Sequence, residues 1–206
     1  MSVIVERIIN KPIDSNCYVI YESNLGSCIV VDPGTKDCND LIKFLEQNSL
    51  SPTYVIITHE HFDHIWGVGL LREKYNCKLI CSVECNMKIS NPKLNLSIFY
   101  DQIGFNVESA EILIEDNKKC LSLNKNEVFF LKTPGHSEGS ISFFIGDKLF
   151  CGDMMIKHLN TVTKLPGGNK EHLKESLNWI YLNFDEMDTV VYAGHGDVFI
   201  LNEFKS

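Results

Sequence analysis

Between positions 58 and 64 the chain reads Thr-His-Glu-His-Phe-Asp-His, which gathers His59, His61, Asp63 and His64 in one short segment. Imidazole is a good ligand for zinc and iron, and a carboxylate adds the negative charge that helps hold a divalent ion. If the first histidines lie on extended backbone, strand alternation puts His59 and His61 on one side. A turn into a helix then lets Asp63 and His64 diverge toward a neighbouring position, so one segment can serve two metal ions. Three later segments each offer one more ligand at a turn: Thr133-Pro-Gly-His136, Gly152-Asp153 and Gly194-His195-Gly196. Singly each is an ordinary turn, since Pro-Gly and Gly-Asp are common turn dipeptides. With the first cluster they make five histidines and two aspartates, enough for two sites of three ligands each and a shared carboxylate. His158 and His172 fall outside this set, and His172 reads as a helix-surface residue.

These residues need elements to carry them. β-branched runs at Val3 to Ile9, Cys17 to Tyr21 and Cys28 to Val31, bounded by turn residues, predict an opening set of strands. Asp32-Pro33-Gly34 breaks the third strand, and Cys38 to Leu50 has helical spacing of Leu41, Ile42, Phe44 and Leu45. Thr53 to Thr58 reads as a strand and His64 to Tyr75 as a helix, which sets the histidine segment at a strand's carboxyl end, a common address for active sites. A strand at Lys78 to Cys81 precedes a poorly periodic stretch, 91–107, read as a loop or lid. Short strands follow at Ile112 to Ile114, Cys120 to Leu123, Val128 to Lys132, Ile141 to Ile145 and Lys148 to Cys151. A helix from Asn169 to Phe184 and a last buried strand, Thr189 to Ala193, complete the pattern. Strands and a helix, then strands and a helix again, suit two packed sheets with helices outside them.

The 206 residues are 44% apolar and 22% charged, an ordinary globular composition for one domain over 1–206. A net charge of −8 disfavours nucleic acid and anionic membrane as partners. No run approaches the roughly 18 apolar residues of a membrane span, and the opening Met-Ser-Val-Ile-Val-Glu is unlike a signal peptide, so a cytoplasmic location is expected. The eight cysteines are diluted along the chain and read as free thiols. Cys77, Cys81 and Cys85 recur every fourth residue, yet they lack the tight pairs of zinc modules.

The ordered motifs, from Asn16-Cys17-Tyr18 and Val31-Asp-Pro-Gly34 through His-x-His-x-Asp-His, Thr133-Pro-Gly-His-Ser-Glu-Gly139, Gly152-Asp153 and Gly194-His-Gly196, resemble the metallo-β-lactamase superfamily, and within it the glyoxalase II-like branch. That resemblance covers nearly the whole chain and implies an αββα sandwich. It implies one metal on His59, His61 and His136, a second on Asp63, His64 and His195, and Asp153 bridging them, with zinc foremost and iron or manganese as alternatives. Asp32 resembles the family's supporting aspartate behind the metal ligands.

Two ions sharing a carboxylate can share a water and bring its pKa from about 15.7 toward about 7. The implied activity is hydrolysis, a metal-bridging hydroxide attacking a small-molecule thioester or ester carbonyl, with Asp63 orienting the nucleophile or receiving its proton. Glyoxalase II enzymes cleave S-acyl glutathione and usually add a C-terminal helical domain, which this chain, ending soon after His195, is expected to lack. Val162 and Lys164 also stand where the family often has Arg and Asp. A different acyl group is then expected to be read by Met154, Met155, Lys157 and the 91–107 segment. The alternatives are a lactonase, a persulfide dioxygenase with one iron on His59, His136 and Asp153, and a non-enzymatic scaffold using the thiols.

Overall fold

The computed structural model describes residues 3–23, 25–184 and 188–205. The first half contains β1 (Val3–Ile9), β2 (Asn16–Glu22), β3 (Ser27–Val31), α1 (Asn39–Gln47), β4 (Ser51–Ile56), α2 (Phe62–Ile65), α3 (Val68–Tyr75), β5 (Lys78–Ser82), α4 (Val83–Ile89), α5 (Ser97–Asp101) and β6 (Ile112–Ile114). The second half contains β7 (Lys118–Leu123), β8 (Asn126–Lys132), β9 (Ile141–Ile145), β10 (Lys148–Gly152), α6 (Lys170–Phe184), β11 (Val190–Ala193), β12 (Phe199–Ile200) and a closing 3-10 turn, Leu201–Lys205.

Two six-stranded mixed sheets result, ordered β1-β2-β3-β4-β5-β6 and β12-β11-β10-β9-β8-β7. In the first sheet β3, β4, β5 and β6 run parallel, and in the second only β10 and β11 do. Parallel neighbours need a crossover, normally helical. The helices sit in those crossovers: α1 between β3 and β4, α2 and α3 between β4 and β5, α4 and α5 between β5 and β6, α6 between β10 and β11.

Strand alternation divides the apolar residues into three cores. Cys17, Val19, Cys28, Val30, Val55 and Leu79 face outward onto Leu41, Leu45, Leu71 and Ile89 of the helices. Their neighbours Tyr18, Ile20, Ile29, Val31, Ile56 and Ile80 face inward, against Phe130, Ile141, Phe143 and Phe150 of the second sheet. That sheet's outer face buries Leu131, Phe144, Leu149 and Val191 against Ile180 of α6. Helix, sheet, sheet, helix is the expected αββα sandwich, two mixed sheets with flanking helices.

Three expectations change. The helix read as His64 to Tyr75 is two helices, broken at Trp66 and Gly67. A Cβ on Gly67 would strike Cys38 Sγ and lie 2.7 Å from the Thr35 carbonyl, and its N–H donates to Pro33 O at 2.7 Å rather than to a helical partner. The segment after β5 forms a helix, α4, that periodicity did not mark; Ser82 Oγ caps it by accepting the Cys85 N–H at 3.0 Å. The 91–107 stretch contains α5 and is tied down rather than free: buried Asn95 donates from Nδ2 to Ile89 O at 3.0 Å and Phe105 O at 2.9 Å. Of its large apolar side chains, Phe99 and Ile103 stand most exposed.

Candidate metal centre

All four segments that sequence reasoning singled out leave the carboxyl ends of strands: 59–64 follows β4, His136 follows β8, Asp153 follows β10 and His195 follows β11. They meet on one edge of the sandwich, between the sheets. The ligand-type atoms of His59, His61 and His136 lie within 4.8 Å of one another, as do those of Asp63, His64 and His195 and those of His59, His64 and Asp153. His61 Nδ1 is 3.1 Å from His59 Nε2 and 2.9 Å from His136 Nε2. Asp153 lies between the two trios, with Oδ2 3.5 Å from both His136 Nε2 and His195 Nε2 and Oδ1 3.6 Å from His64 Nε2. Asp63 Oδ2 is 3.3 Å from His195 Nε2.

The outer ring nitrogens settle which way the imidazoles present their lone pairs. His64 Nδ1 donates to Asp32 Oδ2 at 3.1 Å, because a carboxylate only accepts. Thr58 gives its hydroxyl proton to Asp32 Oδ2 at 2.7 Å, so its oxygen accepts from His59 Nδ1 at 3.1 Å. His136 Nδ1 donates to Val162 O at 2.8 Å, and His195 Nδ1 to Asp14 O at 3.1 Å. In their neutral forms these four imidazoles therefore turn Nε2 lone pairs into one small space. His61 Nδ1 lies at hydrogen-bond distance from two of them and with a single proton can meet only one, whereas a cation among them would meet all. Asp153 Oδ1 and His64 Nε2 are buried and accept or donate no hydrogen bond, each a desolvation cost of about 1–3 kcal/mol that a metal ion would remove. The residues present thus fit a divalent-ion centre.

Electrostatics divide the cluster in the same way. Burial first, then the His64 and His61 charges, hold His59 well below the usual imidazole range. Burial and His136 press His61 down to about 3. Burial acts in the same sense on His64 but loses to Asp63, Asp153 and Asp32, which raise it to about 10. Asp63, against its own burial, is kept below the usual carboxylate range by His64 and His195. Exposure rises from 0% at His64 to 23% at His195, so the centre opens on the His195 side.

Across this centre the sequence profile of the Metallo-beta-lactamase superfamily matches residues 10–195. The chain belongs to the metallo-β-lactamase superfamily. This superfamily consists generally of hydrolytic metalloenzymes. A probable metallo-hydrolase, YqgX of Bacillus subtilis, is 30% identical over 90% of this chain and 86% of its own. A hydroxyacylglutathione hydrolase of Pectobacterium atrosepticum is 28% identical over 92% of this chain and 65% of its own. The crystal structure of the BLEG-1 B3 metallo-beta-lactamase superposes with a TM-score of 0.90 at 28% identity, covering 97% of this chain and 95% of that one.

Within this superfamily frame some expected roles move. Met154 and Met155 are buried in the core between the second sheet and α6, so they pack and do not read substrate. Lys157 points to Glu203 at 2.8 Å. His158 and His172 are exposed and outside the cluster. Cys77, Cys81 and Cys85 are buried free thiols, on the approach to β5, in β5 and in α4, and of the other two Cys85 shares a hydrogen bond with Cys81. The supporting acceptors Thr58, Asp14 O and Val162 O escaped sequence reasoning. Two of them are backbone carbonyls, which leave no residue-type signal; Thr58, just ahead of the motif, is the one a hydroxyl beside His59 could have signalled.

Proposed function

We propose that this chain is a binuclear metal-dependent hydrolase of thioester or ester bonds, with small acyl thioesters as its first substrate class. The observation that carries the reading is the set of four inward Nε2 atoms around a buried Asp153 oxygen that accepts no hydrogen bond. His59, His61 and His136 would hold one ion, Asp63, His64 and His195 the other, and Asp153 would reach both. Zinc is the foremost candidate, with iron or manganese as alternatives. Held there, such ions would supply a hydroxide nucleophile at neutral pH and polarise a substrate carbonyl.

The chain's own residues do the rest. Asp63, kept anionic and at the open side, would orient the nucleophile or receive its proton as well as hold metal. Asp32, Thr58, Val162 and Asp14 keep four imidazoles in the tautomer that presents Nε2. Exposed Val162 lies on the loop that orients His136 and gives the rim an apolar side chain instead of a charged anchor, which supports a compact or apolar acyl group. Eight free cysteines, seven of them buried, support a reducing location such as the cytoplasm.

The test pairs elemental analysis of protein purified without added metal with hydrolysis of S-lactoylglutathione, a simple acyl thioester and a lactone. About two ions per chain and metal-dependent turnover are expected. One iron per chain with oxygen uptake on a persulfide would replace this reading with the dioxygenase.

A further inference from the structure

Glu60 stands between two histidines of the metal centre yet takes no part in it. Alternation along His59-Glu60-His61 turns its side chain to the opposite side, where it is 0% exposed. A lone buried carboxylate costs several kcal/mol, and this one is fully engaged. Oε1 accepts from Lys88 Nζ of α4 at 3.1 Å, and Oε2 from Ser137 Oγ at 2.9 Å. Lys88, itself only 14% exposed, also pairs with Glu138 at 3.1 Å. Ser137 and Ser140 share a hydroxyl contact of 3.0 Å, and Ser82 Oγ at the start of α4 donates to Gly139 O at 2.7 Å. A Cβ on Gly139 would lie 2.5 Å from Glu60 Oε2 and 2.7 Å from the Cys85 nitrogen, so glycine alone lets this turn close on the carboxylate.

One carboxylate thus joins three segments: the strand end with His59 and His61, the turn with His136, and α4. We propose that Glu60, with Lys88 and Ser137, is a positioning device that sets the separation of His61 from His136 and so tunes the affinity and geometry of the ion they hold with His59. This rests on the metal-centre reading above. A buried ion pair adds little net stability against an apolar substitute, so its effect falls on geometry. Partners one step removed from the ligands typically change metal affinity about 10–100-fold.

The test measures cobalt affinity by chelator competition and the visible cobalt spectrum in the wild-type chain and in Glu60→Gln, Lys88→Met and Ser137→Ala, alongside thermal unfolding with chelator present. The expected result is an affinity loss of about 10-fold or more and an altered spectrum in each variant, while Ser137→Ala unfolds within a few degrees of wild type. Lys88→Arg should recover most of the affinity. Wild-type affinity and spectrum in Ser137→Ala and Lys88→Met overturn the proposal, as does a loss of affinity that only follows loss of fold. Absence of cobalt binding by the wild-type chain refutes the metal-centre reading instead, so the two failures are distinguishable. Ser137→Ala keeps the test open should Glu60→Gln not fold.

Discussion

Asp32 has φ 48°, in the left-handed region, a conformation that costs a non-glycine residue about 1–3 kcal/mol. Three hydrogen bonds fix it there, from the Thr58 N–H and hydroxyl, both at 2.7 Å, and from His64 Nδ1. Asp32→Ala should leave His64 free to rotate and lower metal affinity about 10–100-fold, with stoichiometry falling toward one ion in dilute chelator; unchanged affinity would mean that Asp63 and Asp153 suffice to orient the ring. The cysteines allow a second check. Seven thiols are buried, and burial raises those of Cys28 and Cys38 to about 12. Cys120 alone is exposed, and the Glu127 carboxylate beside it raises its pKa. A disulfide reagent should therefore modify one thiol per native chain, faster as pH rises through and above 9, and all eight after unfolding. Rapid modification of further thiols in the native chain would contradict the burial.

At the scale of elements, Glu111 joins α3 to the edge of the first sheet. It accepts from Arg72 Nη2 at 2.6 Å and from the Leu79 N–H at 2.8 Å, while Arg72 also donates to the Glu108 carbonyl at 2.9 Å. Burial pushes its pKa up, but the Leu79 and Arg72 bonds prevail and lower it. A depressed folded-state value means stability that is present above the unfolded value of about 4.3 and is lost as pH falls through the folded one. Glu111→Gln should thus unfold at lower denaturant concentration than wild type at pH 7, with the gap closing below about pH 4; a gap independent of pH would assign the effect to packing. The elements themselves were legible in proportion to how local their causes are. Alternating and β-branched runs marked eleven of the twelve strands among the described residues, β12 being too short to carry a period. The site's ligand types stood out because each sits at a strand end before or within a turn. The break at Gly67 was hidden because its cause lies 29 or more positions away, in Cys38 and Pro33. Glu60 was passed over because a carboxylate in a histidine motif reads as another ligand candidate or as solvated, and only the packed structure shows the lysine that meets it.

For the whole molecule, a ligand that binds only the folded chain adds stability in proportion to RT ln(1 + [L]/Kd), about 2.7 kcal/mol at 100 times Kd. For a chain of this size, at about 2–4 °C per kcal/mol, chelation should lower Tm by about 5–10 °C, read by scanning calorimetry with and without excess zinc; an unchanged Tm would argue against a saturable divalent-ion site. The centre also joins the two halves of the sandwich. His195 bonds the Asp14 carbonyl, 181 positions away, and Ser15 bridges to His195 as a strand partner. Such contacts gather ends of the polypeptide that are made at very different times. As a nascent chain lengthens, the 59–64 cluster emerges without partners, His136 then completes one trio, and the second waits for β11 to be translated and seated. Under the ligand assignment proposed above, ion uptake is thereby ordered by synthesis itself, and a chain halted before position 195 should retain at most one tightly held ion, a count that mass spectrometry of stalled products under native conditions would check.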